Sequence, residues 1–160
     1  MNVNNIDRKP TLGIYPGSFN PFHLGHLDIL NQAVEVFESV IIAKGINPSK
    51  SSKEYNDKYP LPRKFLEQNP KVKVGSYDTL LIDYIKKHEI ENSVTIIRGL
   101  RNGSDLEYEQ NIVAFLRSMH PKIKVIAFYC DPRYRHISSS ALRDIQKFSE
   151  SEYRKYIVED

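Results

Sequence analysis

Short apolar or β-branched runs alternate with stretches of helical periodicity along most of the chain, and this alternation constrains the fold more than any other feature. Thr11 to Tyr15 is the first run and ends at Pro16-Gly17, a strand stopped by a tight loop. From Leu24 onward, Leu27, Leu30, Val34 and Phe37 recur at helical spacing, and Ser39 to Ala43 reads as a second strand. Val72 to Val74 is a weaker third strand. Leu80, Leu81, Tyr84, Ile85 and His88 predict a helix, and Val94 to Ile97 a fourth strand. Leu106, Val113 and Leu116 mark another helix, Ile123 to Phe128 a fifth strand, and Ser140 to Phe148 a last helix. Strands separated by helices join through right-handed crossovers on one sheet. The expectation is a doubly wound α/β domain with five parallel strands in the order 3-2-1-4-5. No repeat, low-complexity tract or composition break divides the 160 residues, so one domain over 1–160 is expected, its polar residues 1–10 forming a flexible extension.

Composition enters as a set of exclusions. With 40% hydrophobic and 27% charged residues the chain is neither disordered nor membranous. No stretch approaches the roughly 20 apolar residues of a membrane helix, and the polar start holds no signal-peptide core. The single cysteine, Cys130, rules out an internal disulfide and a cysteine-based zinc cluster, and a reducing cytoplasm fits best. A net charge of +3 is too small to announce a nucleic-acid partner. That charge is unevenly placed. Residues 50 to 73 carry seven Lys or Arg against three acids, a local +4 that leaves −1 for the rest. Pro60, Pro62 and Pro70 break regular structure there, so the segment is either a solvated loop or a basic flap over an anionic substrate.

The unusual residues cluster after the strands. Pro16 to His26 follows the first strand, Asn47-Pro48-Ser49-Lys50 the second, Arg98-Gly99-Leu100-Arg101 the fourth, and His136 to Ser140 the fifth. Open α/β sheets bind ligands beyond the carboxyl ends of their strands, at the point where strand order reverses. Lys50, Arg98, Arg101 and Arg135 are cations suited to phosphate oxygens. Helix starts near Leu24 and at Ser139 or Ser140 add free backbone N–H groups, with Ser138 to Ser140 as cap and phosphate donors. Neither G-x-x-x-x-G-K-[ST] nor G-x-G-x-x-G occurs, which removes the main support for a P-loop kinase or a dinucleotide dehydrogenase.

His23 and His26 lie three apart at a helix start and share a face. They read as a packing pair, as metal ligands, or as two donors to phosphate oxygens. The absence of an apparent third ligand and the cationic neighbourhood favour the last. Cys130 reads as a buried strand-end residue without an activating partner.

Gly13-x-Tyr-Pro-Gly-Ser-Phe-Asn-Pro-x-x-x-Gly-His26 resembles the signature of the HxGH nucleotidylyltransferase superfamily. Ile97-Arg98-Gly99-Leu100-Arg101, then Asp105-Leu106-Glu107-Tyr108-Glu109, and later Ile137-Ser138-Ser139-Ser140 narrow the resemblance to the phosphopantetheine adenylyltransferase family, over nearly the whole chain from Thr11. The resemblance implies a Rossmann-like nucleotidylyltransferase fold. It also implies transfer of AMP from ATP to 4'-phosphopantetheine by direct in-line attack, with release of pyrophosphate and no covalent enzyme intermediate. Carried over by motif position, Ser18 would touch both substrates with Phe19 beside it, and His26 would stabilise the transition state. Lys50 and Arg98 would hold the acceptor phosphate. Gly99, Leu100, Arg101, Glu109 and the stretch Tyr134, Arg135, His136, Ile137, Ser138, Ser139 and Ser140 would contact ATP, and Leu81 would line the pantetheine arm. Mg²⁺ is implied on the ATP phosphates, without a protein cage. A homo-oligomer, a hexamer as in bacterial members, is implied as well.

The residues keep their own alternatives. Leu80 and Leu81 are also ordinary core candidates. Glu109 shares the helix face of Leu106 and Val113, where an unpaired carboxylate is costly, so a ribose or an arginine partner is expected. Arg143 reads equally as a solvated helix residue. Asn20 and His23 depart from the residues usual at those positions, and His23-Leu24-Gly25-His26 is closer to the form common in nicotinamide mononucleotide and glycerol phosphate transferases. Rival readings are therefore transfer to another small phosphate, such as nicotinamide mononucleotide, or a silent nucleotide-binding protein.

Overall fold

The computed structural model describes residues 8–46 and 58–160. Five strands, β1 (Thr11–Gly17), β2 (Ser39–Gly45), β3 (Val72–Tyr77), β4 (Ser93–Leu100) and β5 (Val125–Tyr129), form one sheet in the order β3-β2-β1-β4-β5. Every pairing is parallel. The expected fold class and strand order are those found. Helices α1 (Leu24–Val36), α2 (Arg63–Leu66), α3 (Leu81–Glu89), α4 (Gly103–Met119), α5 (Ser139–Gln146) and α6 (Glu150–Arg154) cover and extend this sheet.

Alternation along the strands decides which side chain meets which layer. Val40 and Ile42 of β2, Tyr15 of β1 and Ile97 of β4 face α1, where they pack with Ile29, Leu30, Ala33 and Val34. Leu12, Ile14, Ile41, Ala43, Val94 and Ile96 face the other way, against Ile82 and Ile85 of α3 and Leu116 of α4. The central strands are thus buried on both faces, which is why they read as continuous apolar runs rather than alternating ones. A satellite cluster of Tyr59, Ile137, Leu142 and Tyr153 fastens α5 and α6 beside the sheet.

Several expectations shift. β5 starts at Val125 because Ile123, though buried, donates its N–H to the His120 carbonyl and so belongs to the preceding turn. The last predicted helix, Ser140 to Phe148, is α5, which ends at Gln146, and a further helix not among those predicted, α6, follows with Ser149 as its cap. Of the polar start, Arg8 pairs with Glu38, the Lys9 ammonium donates to the Glu89 carbonyl, and Pro10 accepts from Ser93. These bonds tie residues 8–10 of the expected extension to the domain, and residues 1–7 lie outside the described residues. Within the basic segment, Arg63 reaches Glu67 and the Val74 carbonyl, and Lys71 reaches the Val34 carbonyl. These two cations fasten a surface turn to α1 and β3; residues 47–57, including Lys50, lie outside the described residues.

Candidate active site

The loop after β1 is held by bonds from several separate elements. Phe19 has φ 48°, in the left-handed region that a bulky side chain occupies only at a cost of about 1–3 kcal/mol. Contacts from separate elements hold it there. The Lys44 ammonium donates to Asn20 Oδ1 at 2.7 Å and to the Tyr59 carbonyl at 2.5 Å. Arg143 donates to the Asn20 carbonyl at 2.6 Å, and the Ser139 hydroxyl to the Pro21 carbonyl at 3.0 Å. From the far end of the chain, Val158 N–H donates to the Phe22 carbonyl, the Tyr156 carbonyl accepts from Leu24, and His23 forms an isolated antiparallel bridge with Ile157.

The two histidines use this loop to cap each other. His26 N–H donates to His23 Nδ1 at 3.3 Å, and His23 N–H donates to His26 Nδ1 at 3.2 Å, a reciprocal capping box at the start of α1. Their rings stack with centroids 3.6 Å apart. Because each Nδ1 accepts a main-chain N–H, the ring proton is assigned to Nε2 on both. Burial pushes His23 down to about 4, with Arg101 adding to the effect. Burial, His23 and Arg101 likewise hold His26 well below an ordinary imidazole. At neutral pH both rings are uncharged, and each keeps Nε2–H as its remaining donor. A neutral donor of this kind can stabilise charge that grows on a ligand oxygen.

Two cavities meet at this loop. The first, about 300 Å³, is walled by Ser18, Phe19, His26, Gly99, Arg101, Glu109, Ser138 and Ser139. The second, about 400 Å³, is walled by Gly45, Tyr77, Asp78, Thr79 and Leu81. Pro16, Gly17, Ser18 and Arg98 belong to both. The crevice lies at the carboxyl ends of the strands, beside the reversal of strand order at β1 and β4.

The cations are held in place by bonds within the protein. Arg101 is gripped by Asp105, which accepts from its main-chain N–H, Nε and Nη2 at 2.9 to 3.1 Å, while Nη1 donates to the Ile137 carbonyl. Those bonds to Arg101 keep the Asp105 carboxyl below its usual value despite burial. Arg98 makes a bidentate pair with Glu109, Nε at 2.5 Å and Nη2 at 2.7 Å, so of the two partners expected for Glu109 the structure supplies the arginine. Burial raises the Tyr15 phenol far above its usual value and keeps it protonated in the same wall.

The remaining candidates fall into two groups. Leu81 reaches the second cavity, whereas Leu80 is exposed. Ser138 caps α5 through the Ala141 N–H, and Ser140 is exposed beside it. Leu100, Tyr134, Arg135, His136 and Ile137 do not line the first cavity. Leu100 and Ile137 are buried, Arg135 braces the Arg101 carbonyl, and His136 sits edge-on to Tyr156. Three residues that the sequence reading does not assign to the site also brace it: Asp105, quoted there only within a motif, Lys44, and Arg143, read equally as a solvated helix residue but bonded to the Asn20 carbonyl. Asp105 was visible as an acid four residues after Arg101; Lys44 and Arg143 carry no local signal, since Asn20 reaches them only through the fold.

The cytidylyltransferase-like family model matches residues 14–145. A phosphopantetheine adenylyltransferase of Clostridium perfringens is 35% identical over 153 residues, covering 93% of this chain and 92% of the relative. Proteins of the same name from Caldanaerobacter subterraneus subsp. tengcongensis and Geobacter sulfurreducens are each 34% identical, covering 86% of this chain and 84% and 83% of themselves. Among solved structures, the Plasmodium falciparum nicotinic acid mononucleotide adenylyltransferase complexed with NaAD superposes with a TM-score of 0.60 at 18% identity, over 92% of this chain and 90% of that one. That likeness speaks to the fold, while the sequence relatives reach further: the chain belongs to the phosphopantetheine adenylyltransferase family of nucleotidylyltransferases.

Proposed function

We propose that this protein transfers the adenylyl group of ATP to 4'-phosphopantetheine, giving dephospho-CoA and pyrophosphate. The observation that carries the reading is the pair of cavities joined at Ser18 and Arg98, in a chain whose relatives bear the name of that activity. ATP would occupy the cavity of His26, Arg101, Ser138 and Ser139, with Phe19 and Gly99 in its wall, while Leu100 and the stretch from Tyr134 to Ile137 would support that wall from outside the cavity. The acceptor would occupy the cavity of Tyr77 and Leu81, its phosphate directed at the junction by Arg98 and by Lys50. An acceptor phosphate oxygen then forms a bond to the α-phosphorus as the bond to the β-phosphate bridging oxygen breaks, and pyrophosphate leaves. Holding both groups in line converts a bimolecular displacement into a positioned one. His26 Nε2–H would donate to an oxygen of the α-phosphoryl group as its charge grows.

Mg²⁺ would supply charge neutralisation on the ATP phosphates. The first cavity fits an ion carried by ATP oxygens and water, since its carboxylates Asp105 and Glu109 are already engaged by arginines. A homohexamer in the cytoplasm completes the reading. A pyrophosphate-release assay with ATP and a panel of acceptors tests it. Turnover with 4'-phosphopantetheine is expected; turnover with nicotinamide mononucleotide alone, or with no acceptor at all, would overturn it.

A further inference from the structure

The two arginines of the crevice are restrained in different ways. Arg101 is bound by Asp105, four residues along the same turn, and also by a main-chain carbonyl. Arg98, at the end of β4, is restrained across a gap by a carboxylate from another element, Glu109 of α4. Both side chains are largely buried, at 19% and 14% exposure, so this pair is little screened by water. Arg98 faces both cavities, whereas Glu109 faces the first and not the second. A phosphate entering the second cavity therefore meets a guanidinium whose charge is already compensated and whose Nε/Nη2 side is taken by a carboxylate, its end-on Nη1 face apart.

The helix carrying Glu109 is loosely seated. Among the residues of α4 only Leu116, in its C-terminal half, is fully buried, and Leu106 and Tyr108 near its start are exposed. The N-terminal half is tied down by Glu109 to Arg98, Asp105 to Arg101, and the Asn102 cap. A ligand in the first cavity that offers hydroxyl donors to the Glu109 carboxylate competes directly with Arg98.

We propose that Glu109 is a latch that couples the two cavities. With the nucleotide cavity empty it neutralises Arg98. A nucleotide whose ribose hydroxyls engage the carboxylate draws Glu109 aside and releases the guanidinium for the acceptor phosphate. Glu109 is then a positioning residue, and the coupling is reciprocal: each substrate strengthens binding of the other by the same factor. The release of one charge-assisted pair corresponds to a coupling of about tenfold, within the usual range for linked sites. The inference rests on the adenylyltransferase reading.

Calorimetric titration of the full chain with 4'-phosphopantetheine, with and without a non-hydrolysable ATP analogue, tests it in wild type and Glu109→Gln. Wild type is expected to bind the acceptor about tenfold more tightly when the analogue is present. In Glu109→Gln the acceptor alone should bind more tightly than to wild type, and the analogue should change that affinity less than about twofold. A simple structural role would weaken acceptor binding instead. Wild-type coupling retained in Glu109→Gln, or no gain in its analogue-free affinity, overturns the latch. If Glu109→Gln does not fold, Glu109→Asp, too short to keep both contacts, should also lose coupling, and full coupling there overturns the latch. Turnover with 4'-phosphopantetheine without coupling removes the latch and leaves the activity standing. A wild type that neither binds nor turns over this acceptor removes both.

Discussion

Acidification should destabilise this protein through a histidine buried for reasons of local structure. His23 is 5% exposed, stacked on His26, and depressed from an ordinary 6.5 to about 4. The unfolded chain therefore takes up a proton near pH 6.5 that the folded chain refuses until about pH 4. Stability from this group is complete above 6.5 and drains away as pH falls through that window. At about 1.4 kcal/mol per pH unit the loss is about 3 kcal/mol, a large share of a domain's margin. His26, lowered in the same direction, adds to it. Bonded carboxyls such as Glu38, Asp105 and Asp131 also contribute acid lability, so the informative quantity is a difference. His23→Asn keeps a capping acceptor and removes the titrating ring. It should be about 1–2 kcal/mol less stable than wild type near pH 7, from lost packing, and should lose that disadvantage by about pH 4.5. Urea unfolding midpoints at several pH values, at fixed ionic strength, measure this. Parallel pH profiles for the two proteins would refute the claim that His23 is held neutral by burial.

The remaining expectations concern the site and the core. His26→Ala should lower turnover by on the order of 10²–10³ while changing ATP-analogue affinity only a few-fold, because a donor aimed at developing charge is read in rate. Equal losses in rate and affinity would make His26 a ground-state binding residue. Lys50→Ala should lower both acceptor affinity and rate, and an unchanged acceptor response would remove Lys50 from the site. In β1 a Cβ on Gly13 would lie 2.5 Å from Ile97 Cδ1 and 2.8 Å from Phe37 Cδ2, both in the core. Gly13→Ala should therefore cost about 1–3 kcal/mol, seen as a lowered Tm, and an unshifted Tm would mean that the core yields freely there.

Much of this was legible in the chain because strand–helix alternation and right-handed crossovers leave few arrangements. The carboxyl-end location of Ser18, His26, Arg98 and Arg101 followed from that topology. Glu109 was legible too, since a carboxylate on an apolar helix face requires a partner. The features that local sequence pattern does not carry are short or non-local. Helix α6 is barely one turn, anchored by buried Tyr153, though Ser149 followed by Glu152 was a capping signal. The hub at Asn20 joins Lys44 of β2 with Arg143 of α5, and no spacing rule connects those positions. The reciprocal histidine cap was hidden for a different reason: a His-x-x-His spacing is shared by metal ligands, packing pairs and phosphate donors, and only the geometry separates them.

The bridge between His23 and Ile157 also bears on synthesis. The motif loop is made early, yet its flanks at Phe22 and Leu24 are fastened by Val158 and Tyr156, more than a hundred residues later. A growing chain can assemble β1, α1 and β2 in order, but the main-chain bonds flanking the histidine-bearing turn form only once residues 156–158 have been made. In a chain ending before residue 156 the Phe22 carbonyl and the Leu24 N–H lack these partners, and the loop is left to Lys44, Ser139 and Arg143.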